Sequence, residues 1–361
     1  SGGRLLAVAA IAVAATPAGN PTRALAGPAR PSFSVASEDS LLPGFRWDTL
    51  TYAARCNDGG LSIEVGSAPG WRARVNRESA RPGNYAMDVK SAEGRLITIN
   101  FERGRSGRSR IYRVRCLPDD FPGFTFVHIR NGGPKYFVMG LRQGYAVIFS
   151  RSGAPVWWKK SVTNVTADAK VLPDGTVSWN TAAEIFSGRF EIRSLRGRLL
   201  RRIGTDASTD VHDIDLLPNG NYLVGKTTYR SGIDFSAFGG PVDANSLDVD
   251  VQVVTPANQV VGHWKSADHI GFSEAGRWWA ELTSGADPFA YDVSHWNAAA
   301  VDGKFMYLSF RNADAIYKVN RKTGRVAWKL GGTTTPKEPG AGERPGRRLS
   351  AGRPARCPRP S

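Results

Sequence analysis

The sequence is poor in the residues that most often carry chemistry. It has three cysteines, five histidines and three methionines in 361 residues. No carboxylate or thiol completes a ligand spacing around any two histidines, so no metal site is expected. No cofactor is implied either. No apolar run reaches the 18–20 residues that a membrane-crossing helix needs, which excludes an integral span. What is abundant is turn-forming: 40 glycines and 22 prolines argue against a helical bundle. A hydrophobic content of 41% with 10% aromatics excludes wholesale disorder.

Charge is the conspicuous excess. The formal net charge is +16, which by itself invites a nucleic-acid reading. Its distribution argues otherwise. Residues 1–26 have the three parts of a secretory signal: Arg4, the apolar run from Leu5 to Ala15, and the small-x-small site Ala24-Leu25-Ala26. Residues 337–361 are almost all Arg, Pro, Gly, Ala and Ser, and cannot bury enough surface to order themselves. That tail carries +5 and the signal +2, leaving a diffuse +9 on the body. No nucleic-acid partner is expected. The tail reads either as a binder of anionic polymers or as the product of a frame error in a GC-rich gene, and the second is preferred. Export places the protein in an extracellular or periplasmic compartment.

Residues 27–130 alternate with period two in short segments such as Leu61–Val65, Leu96–Phe101 and Ile111–Cys116, separated by Gly- and Pro-rich turns. This predicts a small β-sandwich. Cys56 and Cys116 each follow an apolar-Arg pair, and an oxidising compartment favours a disulfide between them over two free thiols. Closing a loop of that length would contribute about 4 kcal/mol. Cys357 is left over in the tail.

Residues 131–336 repeat. A strand–turn–strand unit recurs with its turn at Gly153, Gly197, Asn258 and Gly324, spaced 44, 61 and 66 residues apart. Ahead of several of these comes an Asp/Asn-Gly turn and an apolar strand, at Gly175, Gly220 and Gly303. Paired, the two elements make units of about four strands, which predicts an all-β architecture with a β-propeller of which about four blades are visible. The repeat stops at Gly331-Gly332, so the ring is expected to be incomplete.

Alignment on the Asp/Asn-Gly turns puts a histidine eight residues upstream in two blades, His212 and His295, and Ala167 in a third. Equivalent places at the central end of blades converge on the axis, so two imidazoles are expected to share a pocket suited to acid–base or nucleophilic work. His128, His263 and His269 lack this equivalence and read as structural.

Around His295 the segments His295-Trp296-Asn297, Ser309-Phe310-Arg311, Ile316-Tyr317-Lys318 and Trp328-Lys329-Leu330-Gly331-Gly332 resemble the arylsulfotransferase family, and His212–Gly220 is similar to that family's other histidine segment. The resemblance covers about residues 130–335. It implies a six-bladed propeller behind a small β domain. It also implies transfer of a sulfuryl group from a phenolic sulfate ester to a phenolic acceptor through a sulfohistidine. By match, His212 and His295 would hold sulfuryl oxygens or a proton, Arg311 would grip the sulfate, and Asn297 would orient the pocket. The partners implied are small molecules, an aryl sulfate and a phenol. The sequence departs from the family at one point: the sulfated histidine is expected beyond Leu330-Gly331-Gly332, and no histidine follows His295. The chain as given is therefore expected to fold poorly or to be inactive. Two alternatives compete with the enzyme: a non-enzymatic extracellular propeller acting as a binding module, and a polymer binder working through the tail.

Overall fold

The computed structural model describes residues 30–36, 41–56, 59–104, 107–127, 133–182, 188–206, 208–284 and 288–332. The signal segment, the 337–361 tail, His128 and Cys357 lie outside the described residues.

Seven strands come first: β1 (Ser32–Val35), β2 (Thr51–Arg55), β3 (Gly60–Gly66), β4 (Trp71–Val75), β5 (Asn84–Lys90), β6 (Leu96–Arg103) and β7 (Arg108–Leu117). They form two sheets, ordered β1-β3-β5 and β2-β7-β6-β4. Every pair is antiparallel except β2–β7, which is parallel. The alternating apolar positions turn inward. Phe33, Tyr52, Ile63, Ile99, Phe101, Tyr112 and Val114 fill one core between the sheets. Cys56 and Cys116 form a disulfide with their Cα atoms 5.3 Å apart. It lies where β2 and β7 run side by side, Ala54 being the register partner of Cys116.

Among the described residues, fifteen further strands build the repeat. The first meander is β8 (Tyr136–Leu141), β9 (Tyr145–Ser150) and β10 (Pro155–Lys160). The second is β11 (Ala167–Val171), β12 (Val177–Asn180), β13 (Phe190–Arg193) and β14 (Leu199–Ile203). The third is β15 (Thr209–Leu216), β16 (Tyr222–Ile233), β17 (Ala244–Val254) and β18 (Val260–Lys265). The fourth is β19 (Trp296–Asp302), β20 (Phe305–Phe310), β21 (Ala315–Asn320) and β22 (Val326–Gly331). Each unit runs antiparallel in chain order, the signature of propeller blades. Among the described residues the first unit has three strands where the repeat predicts four.

The turns explain the register. Gly175, Gly220 and Gly303 have φ of 78°, 82° and 54°, and Asn258 has 63° in the outer hairpin of the third unit. These are left-handed values that glycine and asparagine adopt at least cost. The middle strands are buried on both faces, as in β9 (Tyr145–Ser150) and β13, because each sheet is covered by its neighbours. The first strands β8, β11, β15 and β19 contact one another in succession, so they line the axis.

One departure from the plain repeat shapes the site. β16 and β17 extend as a long ribbon, and a segment of short helical turns ending in α1 (Trp279–Leu282) lies between β18 and β19. Phe235, Trp279, Tyr291 and Val293 cluster there around a shared apolar core. This insertion brings Trp278 toward the axial end of the fourth blade.

Candidate functional site

His212 sits within β15, and His295 immediately precedes β19. Because β15 and β19 are neighbouring inner strands, the two rings meet: their centroids are 4.9 Å apart and their planes cross at 74°. Both side chains keep partial solvent exposure, 27% and 17%. A ligand approaching along the axis therefore reaches both.

Each ring is oriented by a carboxylate that the sequence reading did not single out. Asp210 Oδ1 lies 2.7 Å from His212 Nδ1 and also accepts the His212 backbone N–H at 2.8 Å. Asp292 Oδ2 is paired with His295 Nδ1, while its Oδ1 accepts the His295 backbone N–H at 3.1 Å. A carboxylate on Nδ1 holds the proton there and leaves Nε2 to face the ligand. The His212 imidazole is held above its ordinary pKa, chiefly by the hydrogen bond to Asp210 and against the opposing effect of burial. The charges of Asp210 and Asp292 add to the rise, and Arg311 works against it. A spacing signal existed for both carboxylates, Asp-x-His in one blade and Asp-x-x-His in the other.

The turn that carries His295 is strained and clamped. His295 has φ of 47°, a left-handed value that costs a non-glycine residue about 1–2 kcal/mol. Asn312, buried at 1% exposure, fixes that turn by donating from Nδ2 to the Asp292 carbonyl at 2.6 Å and from its backbone to the Ser294 carbonyl at 3.1 Å. The Arg311 backbone N–H donates to the His295 carbonyl at 2.8 Å. The β20–β21 turn thus holds the histidine from behind.

Arg311 is exposed, and among the described residues its guanidinium has no carboxylate partner. Its Nε donates to Asn312 Oδ1 at 3.0 Å, and its Cζ lies 5.4 Å from the Trp278 ring centroid. Trp278 is flanked on its other contact by Arg277, which is itself neutralised by Asp314 at 2.7 and 2.8 Å. The result is an uncompensated planar cation beside an indole, next to two imidazoles. Asn297 stands apart from this group. It is the extra residue at a bulge where the β19–β20 register shifts, half-buried, and it does not line the crevice between the imidazoles.

That crevice is lined by Asp210, His212, Thr227, Asp292, His295 and Trp296, and its free volume of about 10 Å³ admits about one water. Any ligand larger than a water is therefore excluded from it. Two larger clefts, of about 770 and about 560 Å³, do not touch either histidine.

A partly buried ionic cluster lies one step along the axis. Lys170 on β11 pairs with Asp168 at 2.7 Å and with Asp213, the residue after His212. Asp213 Oδ2 also accepts the Ala299 N–H of β19 at 2.5 Å. One carboxylate therefore ties three inner strands together and sets the separation of the two histidine-bearing ones. Burial pushes the Asp168 carboxyl up to about 7 despite Lys170 beside it.

The other two described histidines have surface or packing settings. His263 is 58% exposed and 3.7 Å from Asp250, and His269 stacks on Trp264 with centroids 4.7 Å apart.

Residues 200–338 match the family model of the arylsulfotransferases (ASST). The matched span contains His212, His295, Asn297 and Arg311. No curated protein matches the chain. Two solved structures are similar to it at 12% identity. Hydrazine synthase of Kuenenia stuttgartiensis is covered over 81% of its chain and 77% of this one, with a TM-score of 0.34. BamB from Moraxella catarrhalis is covered over 88% of its chain and 78% of this one, with a TM-score of 0.29. No helix among the described residues is long and apolar enough to cross a membrane.

Proposed function

We propose, from the premise that this chain belongs to the arylsulfotransferase family across residues 200–338, that its axial pocket binds a phenolic sulfate ester and serves sulfuryl transfer to a phenol. The observation that carries this reading is the pair of imidazoles 4.9 Å apart, each backed by its own carboxylate, beside the unneutralised Arg311. Sulfuryl transfer spreads negative charge over three equatorial oxygens and a departing phenolate. Preorganised cations lower that barrier, and a planar guanidinium suits the oxyanion geometry. His212, favoured as imidazolium by Asp210, is the proton donor to the leaving phenolate or a contact to a sulfuryl oxygen. His295, with its Nδ1 on Asp292, presents Nε2 on the same side. Trp278 holds the Arg311 guanidinium against its ring at the edge of the pocket.

Binding of the ester and its turnover are measured separately. Export to an oxidising compartment completes the proposal, in keeping with the Cys56–Cys116 disulfide.

The test is p-nitrophenyl sulfate with phenol as acceptor, following release of p-nitrophenol. Retained binding with little release fits the proposal. Brisk release that His295→Ala abolishes would instead make His295 the sulfated residue. Absence of any binding by phenyl sulfate would favour the binding-module alternative.

A further inference from the structure

The cleft of about 560 Å³ shares no residue with the histidine pocket and lies where three parts of the fold meet. The front sandwich contributes Arg115 from β7, the first blade contributes Trp157, Trp158 and Lys159 from β10, and the second blade contributes Arg196 from the β13–β14 turn. Its free volume of about 560 Å³ is in the range of small-molecule sites.

Its walls are built, not incidental. The Trp157 indole N–H donates to the Leu195 carbonyl at 2.8 Å, and the Trp158 indole N–H donates to Glu93 Oε1 at 3.1 Å. Both rings are thereby locked across unit boundaries. Each presents a flat apolar face with its polar edge already satisfied. Cationic groups surround them. Arg115 is half-buried and spends one N–H on the Gly94 carbonyl at 3.0 Å, and among the described residues it has no carboxylate partner. Arg196 and Lys159 are exposed and likewise have no ion pair among the described residues. Lys160 is the exception, neutralised by Asp120. The cleft's two carboxylates are both engaged, Glu93 by the Trp158 indole N–H and Asp120 by Lys160 and the Tyr145 hydroxyl, which leaves three cations without an ion pair among the described residues.

We propose that this cleft binds a small aromatic anion, its ring against Trp157 and Trp158 and its charged group between Arg115 and Arg196. The indole faces select a planar π-system. The guanidiniums select a carboxylate, sulfonate or sulfate, whose oxygens match their forked N–H groups. A half-buried guanidinium left without a counter-ion is disfavoured by desolvation, and burial indeed pulls the Arg115 pKa down. A bound anion would relieve that cost. The cleft stands independently of the histidine pocket, since the two share no residue.

The experiment is calorimetric titration of the full chain with 2-naphthalenesulfonate, whose carbon–sulfur bond cannot take part in sulfuryl transfer. Four proteins are compared: wild type, Arg115→Gln, Arg196→Gln and the double variant His212→Ala/His295→Ala. Arg196 is exposed, so its variant tests the site even where Arg115→Gln disturbs packing. The expected result is binding by wild type and by the double histidine variant with equal affinity, weakened about tenfold by loss of either arginine. Neutral 2-naphthol should bind more weakly than the sulfonate, and added salt should weaken the sulfonate alone. Affinity unchanged in Arg196→Gln, binding lost in the histidine variant, or no binding tighter than about 1 mM would each overturn the proposal.

Discussion

Replacing Arg311 by Gln should separate ligand binding from stability more cleanly than any other change at the site. The wild-type guanidinium has few structural duties: one hydrogen bond to Asn312 and the face of Trp278 at 5.4 Å. A partly exposed cation–π contact is worth about 0.5–1 kcal/mol. For a protein of this size that corresponds to a fall in Tm of no more than about 4 °C. The same residue, as the unneutralised guanidinium at the pocket, would donate at least one charge-assisted hydrogen bond to a bound sulfate. Such a bond contributes about 1.5–3 kcal/mol, so Kd for phenyl sulfate should rise about 10- to 150-fold. Arg311→Lys should fall between, because it keeps the charge and loses the planar fork. Isothermal titration at low salt and a thermal melt on the same samples measure both quantities. A Kd within twofold of wild type in Arg311→Gln, with the fold intact, would refute the assignment of the sulfate to this arginine.

Four other outcomes follow from the geometry. Asp210→Asn removes the main cause of the raised His212 pKa; an NMR titration should show the His212 midpoint falling, and an unchanged midpoint would count against the pairing. Because the folded pKa of His212 is raised, its protonation stabilises the fold fully below the unfolded value of about 6.5, and that contribution is lost as pH rises through the folded pKa; Asp210→Asn should flatten this part of the stability profile. Asp168 has the same sign in a lower window: with its carboxyl near 7, the folded state holds a proton that the unfolded chain has released, so this group makes stability fall as pH rises from about 4 to about 7, and Asp168→Asn should remove that slope in urea melts. Gly225→Ala should harm the site from beneath, since a Cβ there would come within 2.4 Å of the Trp296 ring and 2.9 Å of Asp210; overpacking of this kind costs about 1–3 kcal/mol, and weaker phenyl sulfate binding should accompany the lower Tm. Replacing Cys56 and Cys116 together by Ala should cost the front sandwich about 4 kcal/mol, from release of a 60-residue loop, with little effect on ligand binding at the axis.

Much of this molecule was legible in the sequence because its blades are local. A strand, a two-residue turn and the next strand form within about 15 residues, and the turn residues declare themselves: Gly175, Gly220, Gly303 and Asn258 all take the left-handed backbone that their chemistry allows. The eight-residue register from turn glycine to histidine was likewise a local fact, and inner strands that stack in succession convert it into proximity. That is how His212 and His295, 83 positions apart in the chain, come to share one face. Arg311, Asn297 and the histidine segments were visible as residue types in a familiar setting, and the structure sets Asn297 at a bulge of β19 outside the crevice lining.

Contacts between units were not legible, because alternation specifies which side of a strand is apolar and says nothing of which other strand will face it. Only the tertiary structure joined Asp213 to Lys170 and to Ala299, and so fixed the spacing of the two histidine strands. Only it carried Trp278 across an insertion to Arg311, and left that arginine without a carboxylate among the described residues. The sequence by itself determined the all-β repeat, the disulfide pair and the two imidazoles, since each depends on spacing along the chain. The tertiary structure decided which carboxylates orient those imidazoles, how little room lies between them and which cations remain free, since each depends on distances between blades that no local pattern encodes.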